Sequence, residues 1–229
     1  FENQSSQTFG FSPTFYTGAL TTMYRMFYNA GRFDNGDISG WDTRNVTNMA
    51  EFAKFNSGFN TAIGTWNTSN ITNMFATFNG ASTFNQDLNS WNTSSALDIS
   101  CMFSNALDQN QVYSNWDVSR VTNMAYAFYR MLDQAVDPQL SSWNTSNVTN
   151  MTGMFSSSPS INTSLAGWDT SSVGKQGFQS MFRGANSFNG DVSNFTFTEP
   201  DTLLIYFFDN ACAFNQDISM WDMSNVGDT

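Results

Sequence analysis

Three nonapeptides in this chain are nearly the same: WDTRNVTNM at 41–49, WNTSNITNM at 66–74 and WNTSNVTNM at 143–151. A catalytic motif needs to occur once, whereas one that recurs at fixed intervals is architecture. The seven tryptophans stand at 41, 66, 91, 116, 143, 168 and 221. Phe195 fills the gap between the last two, and Phe15 extends the series upstream through FYTGALTTM. Successive anchors lie 26, 25, 25, 25, 27, 25, 27 and 26 residues apart. The whole chain, 1–229, therefore reads as one array of coils anchored at Phe15, Trp41, Trp66, Trp91, Trp116, Trp143, Trp168, Phe195 and Trp221, with no linker dividing it.

Each column of the repeat carries a local expectation. The apolar residues five after the anchor (Val46, Ile71, Val121, Val148, Val173, Val226) and the threonines after several of them predict a short strand. Asn48, Asn73, Asp98, Asn123 and Asn150 follow, in residue types whose side-chain oxygen caps a helix. Apolar residues then recur at helical spacing, as Ile99, Met102, Phe103 and Ala106 do. A helix of about two turns is unstable alone in water and must pack one face onto a partner. Polar turns such as FNQDL at 84–88 and FNQDI at 214–218 close the unit. The expectation is an α/β solenoid of about eight coils of 25–27 residues, each a short strand, a short helix and a polar turn.

The consensus W-[DN]-T-S-x-V-T-N-M-x-x-M-F-x-x-A-x-x-F-N-Q-D-I resembles the BspA-like surface-protein repeats of bacteria and protists, relatives of leucine-rich repeats. That resemblance covers almost the entire chain. It implies a right-handed leucine-rich-repeat-like solenoid, an extracellular or cell-surface location, adhesive or interaction roles, and no catalytic residues. Two coils depart from the pattern. Lys175 replaces the cap residue, and NFTFTEPDTLL at 194–204 carries Pro200 where the strand valine should stand, so the strand ladder is expected to break there.

Composition narrows the chemistry. With 8 basic residues against 19 acidic, the net charge is −11, which argues against a nucleic-acid backbone or an anionic membrane surface as partner. No apolar run reaches the length of a membrane span. There is no histidine to serve a nucleophile–base pair, and no metal-ligand spacing of cysteines, so no cofactor is expected. Acids that recur with the repeat, such as Asp42, Asp117, Asp169 and Asp222, are expected to stabilise turns rather than move protons. The same holds for Asp37, Asp87, Asp191 and Asp217, although DNGD at 34–37 faintly suggests a hard-cation loop. Cys101 and Cys212 lie four coils apart, roughly 19 Å along a stack with strand spacing, too far for an intramolecular disulfide, so two buried free thiols are expected, with a bridge between molecules as the alternative.

Ten N-x-[ST] sequons make N-linked glycans the strongest specific modification. The column of Asn45, Asn70 and Asn147 also accepts Arg120 and Glu199, so it is expected to be solvated and these three to be the best acceptors. Asn3, Asn162 and Asn194 are further candidates. Asn150 is assigned to capping, and Asn67, Asn92 and Asn144 share a turn column that leaves them undecided. Thr43, Thr68, Thr93, Thr145 and Thr170 form a column that would suit an ice-binding face if exposed. The chain stops within WDMSNVGDT and opens on an aromatic rather than a polar segment, so neither end reads as a cap. The leading expectation is a non-enzymatic, glycosylated extracellular filament built from copies stacked end to end. The alternative is an adhesion or ligand-binding module that uses one face to hold a surface protein or glycan.

Overall fold

The computed structural model describes residues 17–31, 36–132 and 136–227. The 25-residue period is visible as a stack of coils, each hydrogen-bonded to the next. The α/β expectation fails. Among the described residues there is no helix, and the only β structure is a set of isolated parallel bridges. The leucine-rich-repeat solenoid, with a strand and a helix in every coil, is therefore not the architecture.

The coil that starts at Trp66 shows what replaces them. Asn67 Oδ1 accepts the Ser69 N–H (3.1 Å) and the Ser69 hydroxyl (2.7 Å), and Ile71 N–H closes a turn onto Thr68 O (3.0 Å). The expected strand shrinks to one residue. Asn73 bridges Asn48 on one side and Asp98 on the other, within a ladder that runs Thr22, Asn48, Asn73, Asp98, Asn123, Asn150. No further bridge occurs among the described residues until Thr202 meets Val226, so the ladder breaks across the Lys175 coil.

The segment expected to be helical is a ribbon of overlapping turns. N–H groups alternate in direction along it. Met74, Ala76, Phe78 and Gly80 donate to Asp98, Ser100, Met102 and Ser104 of the next coil at 2.8–2.9 Å. Thr77, Asn79 and Ala81 donate within the coil, to Met74, Ala76 and Phe78. An α-helix would need every one of these N–H groups to reach back four residues along its own chain. The ribbon also needs left-handed residues four apart: Glu51 and Phe55, Cys101 and Asn105, Tyr126 and Arg130, Tyr206 and Asn210 all have φ between 54° and 61°. Left-handed backbone costs a non-glycine residue about 1–2 kcal/mol. The stack offsets that by giving alternate N–H groups a carbonyl in the neighbouring coil, a partner no isolated two-turn helix has.

The apolar residues point where the helical reading placed them. Met74, Phe78 and Ala81 are fully buried, as are most of their counterparts through the stack, although Leu204 and Phe208 near its end are only partly buried. Phe78, Phe103, Phe128, Phe155 and Phe182 form one column, with successive ring centroids 5.7–5.8 Å apart. Trp116, Trp143 and Trp168 form a second, with centroids 6.2–6.3 Å apart and planes within 4°. Each indole also donates back one coil, as Trp91 Nε1 does to Ile63 O (3.0 Å). Burying one such side chain stabilises by roughly 1.5–3 kcal/mol. The core is thus a continuous seam of rings, and the ribbon's outer side is left as an exposed face.

Candidate ligand-binding face

Most polar columns are committed to holding the stack. Oδ1 of Asn48, Asn73, Asp98, Asn123 and Asn150 accepts the N–H two residues on, at 2.8, 2.9, 2.7, 3.1 and 3.0 Å. The oxygen caps a turn ribbon, not a helix, so their assignment as helix caps is corrected. Asp117, Asp169 and Asp222 likewise accept the N–H two residues on at 2.9 Å. Hydrogen bonds from the Ser119 and Ser171 hydroxyls hold the Asp117 and Asp169 carboxyls below the usual range, and the Ser193, Ser219 and Ser224 amides do the same for Asp191, Asp217 and Asp222. Asp37 takes both an amide and a hydroxyl from Ser39, while the other residues of DNGD, apart from Gly36, lie outside the described residues. No cluster of acids suited to a metal ion occurs among the described residues.

The threonine column that would suit ice is buried. Thr43, Thr68, Thr93, Thr145 and Thr170 each donate Oγ1 to a carbonyl of the next coil, at 2.8–3.0 Å. A hydroxyl enclosed between two coils cannot present itself to a crystal surface. Asn45, Asn70, Asn147, Asn162 and Asn194 are exposed, and Asn3 lies outside the described residues. The nitrogen that would carry a glycan is engaged in four of them. Nδ2 of Asn45, Asn70 and Asn147 donates to Gly18, Arg44 and Ser119 carbonyls at 2.8, 2.7 and 2.6 Å, and Asn194 Nδ2 donates to Ala166 O. Asn162 presents Oδ1 to the Asn189 N–H (3.0 Å). Nδ2 of Asn67, Asn92 and Asn144 is exposed and has no partner among the described residues.

The outer side of the turn ribbon differs from these columns. It carries Tyr24 (50% exposed), Phe55 (49%), Tyr126 (39%) and Tyr206 (58%), the large rings that the core leaves outside among the described residues. Sequence reasoning missed this row because it sits at the left-handed positions or beside them, which a helical reading scatters around a cylinder. The signal was present in the column Arg25, Glu51, Ala76, Cys101, Tyr126, Gly153, Ser180, Tyr206, where only tyrosine recurs, and only once, in contrast to the core columns.

A groove of about 390 Å³ crosses four coils of this face, lined by Cys101, Ser104, Tyr126, Tyr129, Ser156, Ser157, Ser180 and Arg183. It exists because two small residues, Gly153 and Ser180, separate Tyr126 from Tyr206 in the ribbon column. The Tyr126 ring lies down over Gly153, where an added Cβ would stand 2.6 Å from Tyr126 Cδ1 and closer still to Cε1. Tyr126 and Tyr129 meet edge to face, with centroids 5.7 Å apart. At the other end Arg183 Cζ sits 4.8 Å from the Tyr206 centroid, and Arg183 Nε donates to Asp209 Oδ2 (3.0 Å). Cys101 forms part of the floor, and burial raises its thiol pKa. Both cysteines are free thiols, but neither is fully buried as expected: Cys101 is partly buried and Cys212 is exposed. A wider depression of about 650 Å³ lies on the return edge around Gly64, Trp66 and Asp87. There the indole is buried, and the Thr65 and Ser90 hydroxyls each donate to a carbonyl of the preceding coil, Ser39 O (3.2 Å) and Gly64 O (2.7 Å). Its polar groups serve the stack, so the ribbon groove is the stronger candidate.

Charge is distributed unevenly. The ribbon windows 24–29, 50–55, 75–80, 100–105, 125–130, 152–157, 179–184 and 205–210 hold four cations (Arg25, Lys54, Arg130, Arg183) and two carboxylates (Glu51, Asp209), net +2. All other residues together carry four cations against seventeen carboxylates. Glu51 is buried and ion-paired with Arg25 and Lys54; burial works to raise its pKa, but the two pairs outweigh it and the net shift is downward. The exposed ribbon face is therefore a cationic strip on an acidic protein.

No helix among the described residues is long and apolar enough to cross a membrane. The chain matches no curated protein and no solved structure. One family model, DUF285, described as a Mycoplasma protein of unknown function, matches twice in succession, over residues 21–137 and 127–229, in keeping with the internal repetition. Since the two matches together take in nearly the whole chain, it belongs to the DUF285 family.

Proposed function

We propose that this protein is a non-enzymatic recognition module of the cell surface that holds its ligand in the ribbon-face groove. One observation carries this reading: Tyr126 stays exposed along a hydroxyl-lined concavity and Tyr206 stays exposed under the Arg183 that closes one end of it, whereas most other large rings among the described residues are closed inside the core. Tyrosine brings broad, rigid contact area with few torsions to freeze, and serine and glycine bring adaptable hydrogen bonding, the combination found in polar recognition surfaces. The resemblance to BspA-like surface repeats supports the location and an adhesive role, and a sequence without histidine fits binding better than acid–base chemistry. Fluorescent protein added to intact host or neighbouring cells is expected to bind saturably, and Tyr126→Ala combined with Tyr206→Ala is expected to reduce binding at least tenfold. Undiminished binding by that double variant would remove the groove from the function.

End-to-end self-association is a second reading, supported by one observation. Ile218 is exposed, although Ile38, Ile63, Leu88, Tyr113, Leu140, Leu165 and Val192 at the same place in other coils are buried. A further coil, from more chain or from a second copy, would cover it. Sedimentation of wild type and Ile218→Glu over a hundredfold concentration range tests this; concentration-independent monomers of the wild type would exclude it.

A further inference from the structure

We propose, building on the recognition reading, that the groove's ligand is a saccharide bearing a carboxylate or sulfate group. The groove separates two kinds of contact. At one end Tyr126 and Tyr129 offer ring faces and edges with phenolic hydroxyls, suited to the apolar C–H face of a sugar ring and the hydroxyls at its rim. Ser156, Ser157 and Ser180 form a floor of small hydroxyl side chains that can donate to or accept from sugar hydroxyls in either sense. At the other end stands Arg183, whose planar guanidinium matches two oxygens of a carboxylate or sulfate at once.

Arg183 is available for that role. Only its Nε is bonded to Asp209, and the two side chains are 51% and 34% exposed. A pair so open to solvent is weak, so an incoming anion can displace or share it. The Tyr206 ring beneath the guanidinium keeps it in place when Asp209 lets go. Local charge agrees, because the ribbon strip is net +2 on a chain of net −11, so this face is where an anion meets the least repulsion. A volume of about 390 Å³ sits at the small end of ligand sites, fitting one or two sugar rings rather than a protein surface.

Calorimetric titration with three matched probe pairs tests this: oligogalacturonate and its methyl ester, a heparin tetrasaccharide and its desulfated form, sialyllactose and lactose. At least one acidic member is expected to bind about tenfold or more tightly than its neutral partner at about 50 mM salt, and to weaken as salt rises to about 300 mM. Arg183→Gln, an exposed substitution, is expected to remove that preference, whereas Lys175→Gln, away from the groove, retains it. Equal affinity for both members of every pair, or a preference that survives Arg183→Gln, would overturn the proposal. So would failure of all six probes to bind. If that failure came while cell binding remained sensitive to the Tyr126/Tyr206 double variant, the recognition reading would stand and the saccharide would fall. Loss of both would bring down both.

Discussion

Gln109 donates its Nε2 N–H to the Tyr113 hydroxyl, and both side chains are fully buried. In the preceding coil the same two positions are Phe84 and Leu88, both fully buried. One coil has thus exchanged a ring and an aliphatic chain for an amide and a phenol joined by one hydrogen bond. Burial drives the Tyr113 phenol far up from its ordinary pKa, so it stays a neutral donor and acceptor at any usual pH.

That pairing makes the first prediction. Tyr113→Phe keeps the ring packed on Trp116 and Phe103 but leaves the Gln109 amide with no partner, since its Oε1 already has none. A loss of about 1–3 kcal/mol in urea unfolding is expected. Gln109→Phe with Tyr113→Leu, which restores the neighbouring coil's pattern, should recover most of it. A double variant less stable than Tyr113→Phe would show that the polar pair contributes more than its one hydrogen bond.

Gly153 makes the second. Its φ of +57° and the Tyr126 ring lying across the space a Cβ would need both oppose a side chain. Gly153→Ala is expected to destabilise by about 1–3 kcal/mol and to displace Tyr126 from the groove, read as a change in tyrosine NMR shifts. Gly40→Ala, where nothing lies within 4 Å, should be neutral within about 1 kcal/mol.

Acid stability follows from the aspartate columns. The Asp37, Asp42, Asp117, Asp169, Asp191, Asp217 and Asp222 carboxyls titrate below their unfolded values, in most of them because a serine hydroxyl or amide, and in Asp42 Arg44, holds the ionised form. A depressed folded-state pKa contributes stability that is present above the unfolded pKa of about 4 and lost as pH falls through the folded value. Melting temperature is therefore expected to hold between about pH 7 and 5 and to fall steeply below about pH 4. Asn67, Asn92 and Asn144 make the same turn contacts without charge. Asp117→Asn with Asp169→Asn and Asp222→Asn should keep stability at neutral pH and flatten the acid limb; an unchanged acid limb would assign it to other groups.

The two thiols should differ in reactivity. Cys212 is exposed, whereas Cys101 is partly buried in the groove floor with a raised pKa and so carries less thiolate at a given pH. Iodoacetamide at about pH 8 is expected to modify Cys212 first, with Cys101 following at least several-fold more slowly by peptide mass spectrometry. Equal rates would place Cys101 in the open.

Much of this protein is legible in its sequence. The tryptophan period set the length of the coil, and the methionine and phenylalanine columns told which side chains face the seam. The turn columns were legible too, because Asn and Asp bond their own backbone two residues on whatever lies nearby. What could not be read was the backbone path of the apolar segment. Met74, Thr77, Phe78 and Ala81 fall on one side of an α-helix, and they fall on one side of the turn ribbon as well. Side-chain pattern therefore cannot tell the two apart. The choice is made by N–H groups that find carbonyls in the next coil, as Met74 finds Asp98, a partner that exists only once the coils are stacked. The same long-range contact decided the candidate site. The threonines at 43, 68, 93, 145 and 170 were drawn inside by carbonyls of the next coil, and Tyr126 was left outside by a left-handed turn over Gly153.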